Sequence, residues 1–231
     1  MTGVQTCALP IFGDPDFVPV PLRELLDGKY LERRARLIGE RSLRQAAPGD
    51  TEANGTSHFS IVDAKGNVVA MSTTIENPFG SRIMVRGFLL NNQLTDFDFV
   101  PGSANEVQPR KRPRSSMAPA LVFERDDTVR MALGSPGGPW IINYVAKTLV
   151  AGLDWGRDIQ AAIEAPNFGG RNGRTSLEEG SSYESLAGSL RRRGHEVEAV
   201  PLVSGLHGIE RVPGGWRGGA DPRREGTVRG R

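Results

Sequence analysis

A chain of 231 residues and 25.0 kDa has the length of one domain, or of one large piece of a domain. Hydrophobic residues make up 38% of it and glycine occurs 29 times, which excludes a disordered or fibrous protein and indicates an ordinary α/β composition. The net charge of +2 is small, and the basic run 191–193 lacks the interleaved aromatic residues typical of nucleic-acid binding. We therefore expect a folded α/β protein without a nucleic-acid partner.

Residue counts also exclude several kinds of site. The single cysteine, Cys7, cannot form an internal disulfide or a multi-cysteine metal site. The three histidines are scattered without ligand spacing, so no metal ion is expected. No apolar run approaches the ~20 residues that span a bilayer, so no membrane segment is expected.

The first segment in chain order has an unusual sequence. Residues 1–11 resemble a translated sequencing-adapter read-through, so we expect them to be non-native, and they lack the basic n-region and long apolar core of a secretory signal. After the extended, proline-rich residues 14–21, apolar spacing predicts a helix over 22–38, with a break at Gly28. Residues 48–55 form a polar, acidic loop, which suits either a processing site or a plain linker.

A hairpin follows, with strands at 58–62 and 68–74 joined by a glycine-containing turn. If the turn centres on Lys65, Thr56 lies opposite Thr74 across the two strands. This register places a second hydroxyl beside Thr56.

Apolar patterns predict the remaining elements. The expected strands are a buried one at 88–93, a hairpin of 120–123 with 129–133, and closing strands at 197–203, 208–212 and 215–219. The expected helices are 139–153, 159–165 and 183–193, the first with an apolar face of Ile141, Val145, Leu149 and Leu153. Strands flanked by helices predict a mixed α/β domain.

Four motifs occur in order along the chain. They are Gly55-Thr56-Ser57-His58-Phe59-Ser60-Ile61-Val62-Asp63, Leu90-Asn91-Asn92-Gln93-Leu94-Thr95-Asp96, Arg114-Ser115-Ser116-Met117 and Gly134-Ser135-Pro136-Gly137-Gly138. Together they resemble the γ-glutamyltranspeptidase family, over roughly residues 14–226. The resemblance implies an α/β (α+β) fold, the αββα sandwich of N-terminal nucleophile hydrolases, incomplete because the large subunit is absent. It also implies that 12–55 is the tail of that large subunit with the processing loop, and that 56–231 is the small, catalytic subunit.

Autoproteolysis before the motif threonine activates members of this family, so the resemblance implies cleavage between Gly55 and Thr56. A threonine hydroxyl needs a base to become a nucleophile, and the freed α-amine, with an ordinary pKa of about 8, can serve as that base. Thr74 is implied to orient the Thr56 hydroxyl. Taken alone, Thr56 would be an ordinary β-branched residue at the start of a strand.

The resemblance assigns five residues to substrate binding. Glu76, Gln93 and Asp96 would hold the substrate ammonium, because acceptors that converge on a positive charge form charge-assisted hydrogen bonds. Many family members carry asparagine where Glu76 stands, and others carry glutamate. The hydroxyls of Ser115 and Ser116 would bind the α-carboxylate, together with an arginine of the large subunit that has no counterpart in this chain.

Two glycines precede the helix predicted to begin at Pro139. The backbone amides of Gly137 and Gly138 can approach a reacting carbonyl closely at a positive helix end, which suits an oxyanion hole. A glycine-rich segment can also cradle a phosphate, but this one lacks the lysine and the spacing of a P-loop.

Other polar residues are interpreted as structural. His58 faces Ser72 in the predicted register and has no evident partner acid, so we expect a packed histidine rather than a catalytic one. His195 and His207 have no surroundings that suggest catalysis. Asp221 lies in a block similar to the family's C-terminal segment and is assigned a structural role.

The resemblance implies γ-glutamyl transfer or hydrolysis, with glutathione and other γ-glutamyl compounds as donors and with amino acids, peptides or water as acceptors. It implies no cofactor, the large subunit of the same precursor as partner, and a periplasmic or secreted location. One alternative is a related amidase such as a cephalosporin or glutaryl acylase, although an ammonium site argues against a glutaryl substrate. Another is that the isolated chain is an inactive fragment.

Overall fold

The computed structural model describes residues 13–20, 22–36, 56–171 and 173–230. The chain divides into two compact units. The first unit contains Met1–Asp50, Gln93–Ser115 and Phe168–Pro201, and the second contains Thr51–Asn92, Ser116–Asn167 and Leu202–Arg231. The segment 1–11, expected to be non-native, and the loop 48–55 with its predicted cleavage site lie outside the described residues.

A four-stranded antiparallel sheet is the centre of the second unit. Its strands are β5 (Ala120–Phe123), β6 (Val129–Gly134), β10 (His207–Val212) and β11 (Gly215–Ala220), in the order β11-β10-β6-β5. The predicted hairpin of 120–123 with 129–133 and the last two closing strands are therefore confirmed. Met131, Ala132 and Leu133 on β6 are almost completely buried, so this strand is covered on both faces.

The predicted Thr56 hairpin is also confirmed. It consists of β1 (Thr56–Val62) and β2 (Val68–Thr74), with Thr56 opposite Thr74. The turn is held by Asp63, whose Oδ1 accepts from the backbone N–H of Lys65 at 2.8 Å and of Asn67 at 2.9 Å. Within this unit the hairpin packs against β6 and β10.

Two helices cover the sheet of the second unit. A 3₁₀ turn, Gly138–Trp140, leads into α3 (Ile141–Leu153), and α4 (Ile159–Glu164) begins at Asp158, whose side chain accepts from Ala161 N. The predicted apolar face of α3 is only partly correct, because its C-terminal end, Leu153, is exposed. Its buried stripe instead consists of Ile141, Tyr144, Val145, Lys147, Thr148, Ala151 and Gly152. Among the described helices, none has both the length and the apolar composition needed to cross a bilayer.

The first unit contains a three-stranded sheet and several short helices. Its elements are α1 (Leu22–Leu25), α2 (Gly28–Ala35), the 3₁₀ helix Gln93–Asp96, β7 (Phe168–Gly170), β8 (Thr175–Glu178), the 3₁₀ helix Ser182–Leu186, α5 (Ala187–Arg192) and β9 (Val197–Val200). Strand β8 pairs antiparallel with β7 and parallel with β9. The helix predicted over 22–38 is interrupted just before Gly28, close to the expected break, and its predicted end lies outside the described residues.

The prediction of a buried strand at 88–93 is wrong. Only Phe88–Leu89 forms a strand, β4, which pairs with Met84–Val85, β3, and the Phe88 side chain is exposed. The two strands are joined by Arg86 and Gly87, both with positive φ, and this tight turn makes a short surface hairpin of the apolar residues.

Candidate active site

The Thr56 side chain lies at the first position of β1 and is 7% exposed. Its Oγ1 donates a hydrogen bond to Thr74 Oγ1 at 3.0 Å, as the hairpin register predicts. Because both strands have regular pairing over seven residues, the backbone fixes the separation of the two hydroxyls. The structure thus brings together Thr56 and the residue expected to orient it.

Just after β2, the backbone of Glu76 is hydrogen-bonded to the Thr74 hydroxyl. Thr74 Oγ1 accepts a second hydrogen bond, from the backbone N–H of Glu76 at 2.9 Å. Glu76 has a φ of 74°, which a residue with a side chain rarely adopts. Asn92 accepts the next backbone N–H, that of Asn77, at 3.0 Å and so supports this turn. Backbone strain of this kind is concentrated at functional sites.

A cavity of about 420 Å³ opens beside Thr56 within the second unit. Its walls are residues 56–60 of β1, 207–209 of β10, 218–219 of β11, the C-terminal residues 224–229, and Pro136 and Gly205. Glycine is required in this wall, because a Cβ on Gly218 would lie 2.3 Å from Val228 and one on Gly226 would lie 2.4 Å from His207. The C-terminal segment therefore packs closely on the sheet beside the threonine.

The predicted oxyanion glycines follow Pro136, which lines this cavity. Gly137 has a φ of 135° and Gly138 a φ of 53°, so both occupy backbone regions that favour glycine. A Cβ on Gly137 would also lie 2.6 Å from the Tyr144 ring. The preceding Ser135 is completely buried and braces the turn, donating to the Pro136 carbonyl at 2.6 Å.

His58 lies in the interior on the same strand as Thr56. Its Nδ1 bonds to Ser72 Oγ at 2.9 Å and its Nε2 to Ser60 Oγ at 3.2 Å. Burial, with a further contribution from His207, lowers the pKa of His58 to about 4, so the ring is neutral near pH 7. The expected packed histidine facing Ser72 is confirmed.

His207 is a member of the cavity wall that the sequence patterns did not indicate. Its Nδ1 atom is buried and has no hydrogen-bond partner among the described residues. Burial lowers the pKa of His207, and the nearby Asp221 carboxylate opposes that shift. The place of His207 in the cavity wall has no local sequence signal, because β10 reaches this wall only by pairing with β6 and packing against the Thr56 hairpin.

Asp221 is the centre of a buried hydrogen-bond network, in agreement with its expected structural role. Its carboxylate accepts from Ser204 Oγ at 2.5 Å, from Leu206 N at 3.1 Å and from the backbone and side chain of Arg223 at 3.0 Å each. Burial works to raise the pKa of Asp221, but these hydrogen bonds hold it below the ordinary value. His195, whose Nδ1 bonds to Thr175 Oγ1 at 2.8 Å, is likewise part of a strand contact.

The residues expected to bind the substrate are divided between the two units, with Gln93, Asp96 and Ser115 in the first and Glu76 and Ser116 in the second. Gln93 and Asp96 are the two ends of one 3₁₀ helix, and the Gln93 amide donates to the Asp96 carboxylate. Ser115 is exposed, and Ser116, at the start of the next segment of the second unit, is half-buried; both lie in irregular backbone.

One anchor of the segment Gln93–Ser115 carried no sequence signal. Asp14, whose side chain is 1% exposed, accepts from the backbone N–H of Arg112 at 2.9 Å and from its guanidinium at 2.6 Å. These Arg112 hydrogen bonds hold the pKa of Asp14 well below its usual range. The contact joins positions 98 residues apart, so neither periodicity nor a local motif could predict it.

Comparisons with known proteins extend over almost the whole chain. The sequence profile of the family described as gamma-glutamyltranspeptidase matches residues 7–230. The glutathione hydrolase proenzyme of Bacillus subtilis strain 168 is 37% identical over 243 aligned residues, which cover 94% of this chain and 41% of that relative. The chain therefore spans about two-fifths of the length of that relative.

Two solved structures show the same fold. A Helicobacter pylori γ-glutamyltranspeptidase mutant matches with a TM-score of 0.68 at 30% identity, covering 74% of this chain and 100% of that one. Cephalosporin acylase from Bacillus halodurans matches with a TM-score of 0.84 at 26% identity, covering 96% of this chain and 41% of that one. The predicted α+β fold of the N-terminal nucleophile hydrolases is confirmed, and the chain belongs to the γ-glutamyltranspeptidase family.

Proposed function

We propose that this chain carries the nucleophile and most of the substrate site of an enzyme that transfers or hydrolyses γ-glutamyl groups, with glutathione as the typical donor. Thr56 attacks the γ-carbonyl and forms an acyl-enzyme, which water or the amine of an amino acid or peptide then resolves. The glutathione hydrolase name of the Bacillus relative supports the donor. No cofactor takes part in this scheme.

The observation that carries the proposal is the 3.0 Å hydrogen bond between Thr56 Oγ1 and Thr74 Oγ1, at the start of β1 and at the wall of the cavity. The Glu76 backbone donates to the same Thr74 oxygen, so the acceptor that orients the nucleophile is itself fixed. A nucleophile held in this way needs only a base, and a freed Thr56 amine supplies one.

The remaining roles are those that the family resemblance implies. The amides of Gly137 and Gly138, whose backbone angles exclude most other residues, stabilise the oxyanion. Glu76, Gln93 and Asp96 bind the substrate ammonium. Ser115 and Ser116 bind its α-carboxylate.

We infer the same division of the chain that the motifs suggest. Residues 12–55 form the end of the large subunit and the processing loop, cleavage separates Gly55 from Thr56, and 56–231 form the small subunit. The proenzyme name of the relative supports processing of this kind. The family resemblance also predicts a periplasmic or secreted enzyme, which fractionation of the source cells would test.

A related acylase is the second candidate. It is favoured by the similarity to cephalosporin acylase, which extends over 96% of this chain. A glutaryl group differs from a γ-glutamyl group only in lacking the ammonium, so the acidic residues Glu76 and Asp96 favour the γ-glutamyl substrate.

Two measurements test the proposal. Mass spectrometry of the purified precursor should reveal a new N-terminus at Thr56, whereas an intact chain would indicate an inactive fragment. The processed protein should then release the anilide from γ-glutamyl-anilide faster than from glutaryl-anilide. The reverse preference would establish the acylase instead.

A further inference from the structure

We propose that Asn105 is a positioning residue that sets the spacing between the ammonium-binding and carboxylate-binding parts of the substrate site. This inference rests on the proposed function, because it concerns how the γ-glutamyl group is recognised. Asn105 has no place in the four motifs and lies in the loop between two of them. All the contacts that carry the argument lie within the segment Gln93–Ser115 of the first unit.

The Asn105 side chain bridges two stretches of backbone. It is 1% exposed, its Nδ2 donates to the Asp96 carbonyl oxygen at 2.7 Å, and its Oδ1 accepts from the Arg114 backbone N–H at 2.9 Å. A carbonyl can only accept and a backbone N–H can only donate, so these partners fix the orientation of the amide. Asparagine fits both partners at once, whereas an aspartate or a leucine of similar size would fail at one or both.

Both hydrogen-bond partners of Asn105 are close to residues assigned to substrate binding. One partner belongs to Asp96 itself, and the other belongs to Arg114, the neighbour of Ser115. Asp96 is the last residue of its 3₁₀ helix, and the carbonyl groups at a helix C-terminus lack partners within the helix. Asn105 satisfies that carbonyl and thereby fixes the backbone that carries the Asp96 carboxylate. Arg114 immediately precedes Ser115, so the second hydrogen bond fixes the backbone from which the serine hydroxyl extends.

The bridge is braced by the charged residues around it. The Arg114 guanidinium lies 2.9 Å from the Asp98 carboxylate, which also accepts from Ser103 Oγ at 2.5 Å. Partial burial works to raise the pKa of Asp98, but the Ser103 hydrogen bond and the charge of Arg114 lower it overall, so the ion pair persists near neutral pH. The backbone N–H of Asp98 also donates to the Asn105 carbonyl at 3.0 Å.

A γ-glutamyl substrate must bind through its ammonium and its carboxylate at the same time, so it is sensitive to the spacing between the two subsites. A glutaryl substrate has the carboxylate but no ammonium, and this spacing matters less for it. A residue that sets the spacing should therefore affect the ratio of kcat/KM for γ-glutamyl-anilide to kcat/KM for glutaryl-anilide. A residue with only a structural role should lower both values together.

The test compares wild type, Asn105→Asp and Glu106→Ala in the processed enzyme with its large subunit. Asn105→Asp keeps the acceptor for Arg114 but loses the donor to Asp96, and loss of one buried hydrogen bond should lower the γ-glutamyl to glutaryl ratio about ten- to a hundred-fold. The fall should come mainly from a higher KM for γ-glutamyl-anilide. Glu106→Ala removes a hydrogen bond of the same loop, the one from Gly102 N, and the Glu106 side chain takes no part in the bridge or its brace. Its ratio should therefore stay at the wild-type value.

If wild type prefers γ-glutamyl-anilide and the ratio of kcat/KM values is unchanged in Asn105→Asp, this inference is wrong. The proposed function is unaffected by that result. A wild type that prefers glutaryl-anilide would refute the proposed function, and the inference with it. If Asn105→Asp does not fold, the variant Asp98→Asn is used in its place. Asp98→Asn weakens the ion pair with Arg114 and leaves Asn105 unchanged. A smaller fall of the same ratio is then expected, and no fall would contradict the inference.

Discussion

The two parts of the candidate site are held in different ways. Around Thr56 the backbone is regular, and seven consecutive pairs between β1 and β2 determine which side chains meet. Between Gln93 and Ser115 one short 3₁₀ helix is the only regular helix or strand that the structure describes, and buried side chains such as Asn105 bond directly to irregular backbone. The region of the proposed nucleophile thus takes its geometry from a sheet. The segment Gln93–Ser115, called here the proposed substrate-binding segment, takes its geometry from individual polar residues.

This difference separates the kinds of damage that substitutions should cause. A side chain on a regularly paired strand can be removed while the backbone hydrogen bonds of that strand remain. A substitution at Thr56 should therefore abolish catalytic activity without unfolding the protein. A side chain that holds irregular backbone has no such support, so changes in the proposed substrate-binding segment should alter recognition of the substrate.

Thr56→Ala should abolish both cleavage after Gly55 and turnover, reducing activity to less than about a thousandth of wild type, because one hydroxyl serves both steps. Mass spectrometry and an anilide assay on the precursor with its large subunit would measure the two effects. Thr73→Ala is the matched control, since Thr73 is an exposed threonine of β2 that does not line the cavity. Cleavage of the Thr56→Ala chain at this bond would mean that another group is the processing nucleophile.

Asp96→Ala should weaken γ-glutamyl recognition about ten-fold to more than a hundred-fold, because a charged hydrogen bond is worth about 1.5–3 kcal/mol. The loss should largely vanish for a substrate without the α-amine. Steady-state kinetics on the matched pair of γ-glutamyl- and glutaryl-anilide would measure it. Equal losses on both substrates would assign Asp96 to folding or to chemistry.

His58 should make the protein less stable in acid. Its folded pKa of about 4 lies below the ordinary value of 6.5, so the stabilisation is complete above pH 6.5 and is lost as pH falls towards 4. The loss between pH 7 and pH 4 should be about 2–3 kcal/mol. Urea unfolding at both pH values would measure it in wild type and in His58→Gln, which keeps a polar group near Ser72. A pH dependence that is the same in both proteins would exclude His58 as the cause.

The regular region was largely predictable from the sequence. Alternation and turn residues predicted the hairpin from Thr56 to Thr74, and its register alone placed Thr74 opposite Thr56, as observed. The clearest failure concerns 88–93, where apolar residues suggested burial but the positive φ of Arg86 and Gly87 made a surface hairpin. Apolar composition alone does not show whether a segment is buried or is exposed at the surface by a tight turn.

For the irregular region, the proposed substrate-binding roles rest on the motif resemblance alone. Nothing local marks Asn105 or Asp14, since each acts through bonds to backbone that is 9 or 98 residues away in the chain. His207 reaches the cavity only because β10 pairs with β6 and packs against the Thr56 hairpin. Contacts of this kind depend on the three-dimensional path of the chain, which periodicity does not encode.

The smallest expected effect concerns donor size. Only eighteen residues separate Asp96 from Ser115, and the loop 99–106 between them bonds largely to its own segment, as in the 3.0 Å hydrogen bond from Gly102 N to Glu106 Oε2. Each extended residue spans at most ~3.6 Å and the loop must also return, so it is too short to close over a cleft.

Glutathione and a short poly-γ-glutamate should therefore be accepted by the processed enzyme with comparable kcat/KM, which competition between the two donors would measure. Lengthening the loop after Gly102 with a glycine-serine insertion is the matched perturbation, and it should lower use of the oligomer more than use of glutathione. Strict rejection of the oligomer by the wild type would mean that a different element, such as the large subunit, closes the site. The proposed substrate-binding segment would then position the γ-glutamyl group without controlling access to it.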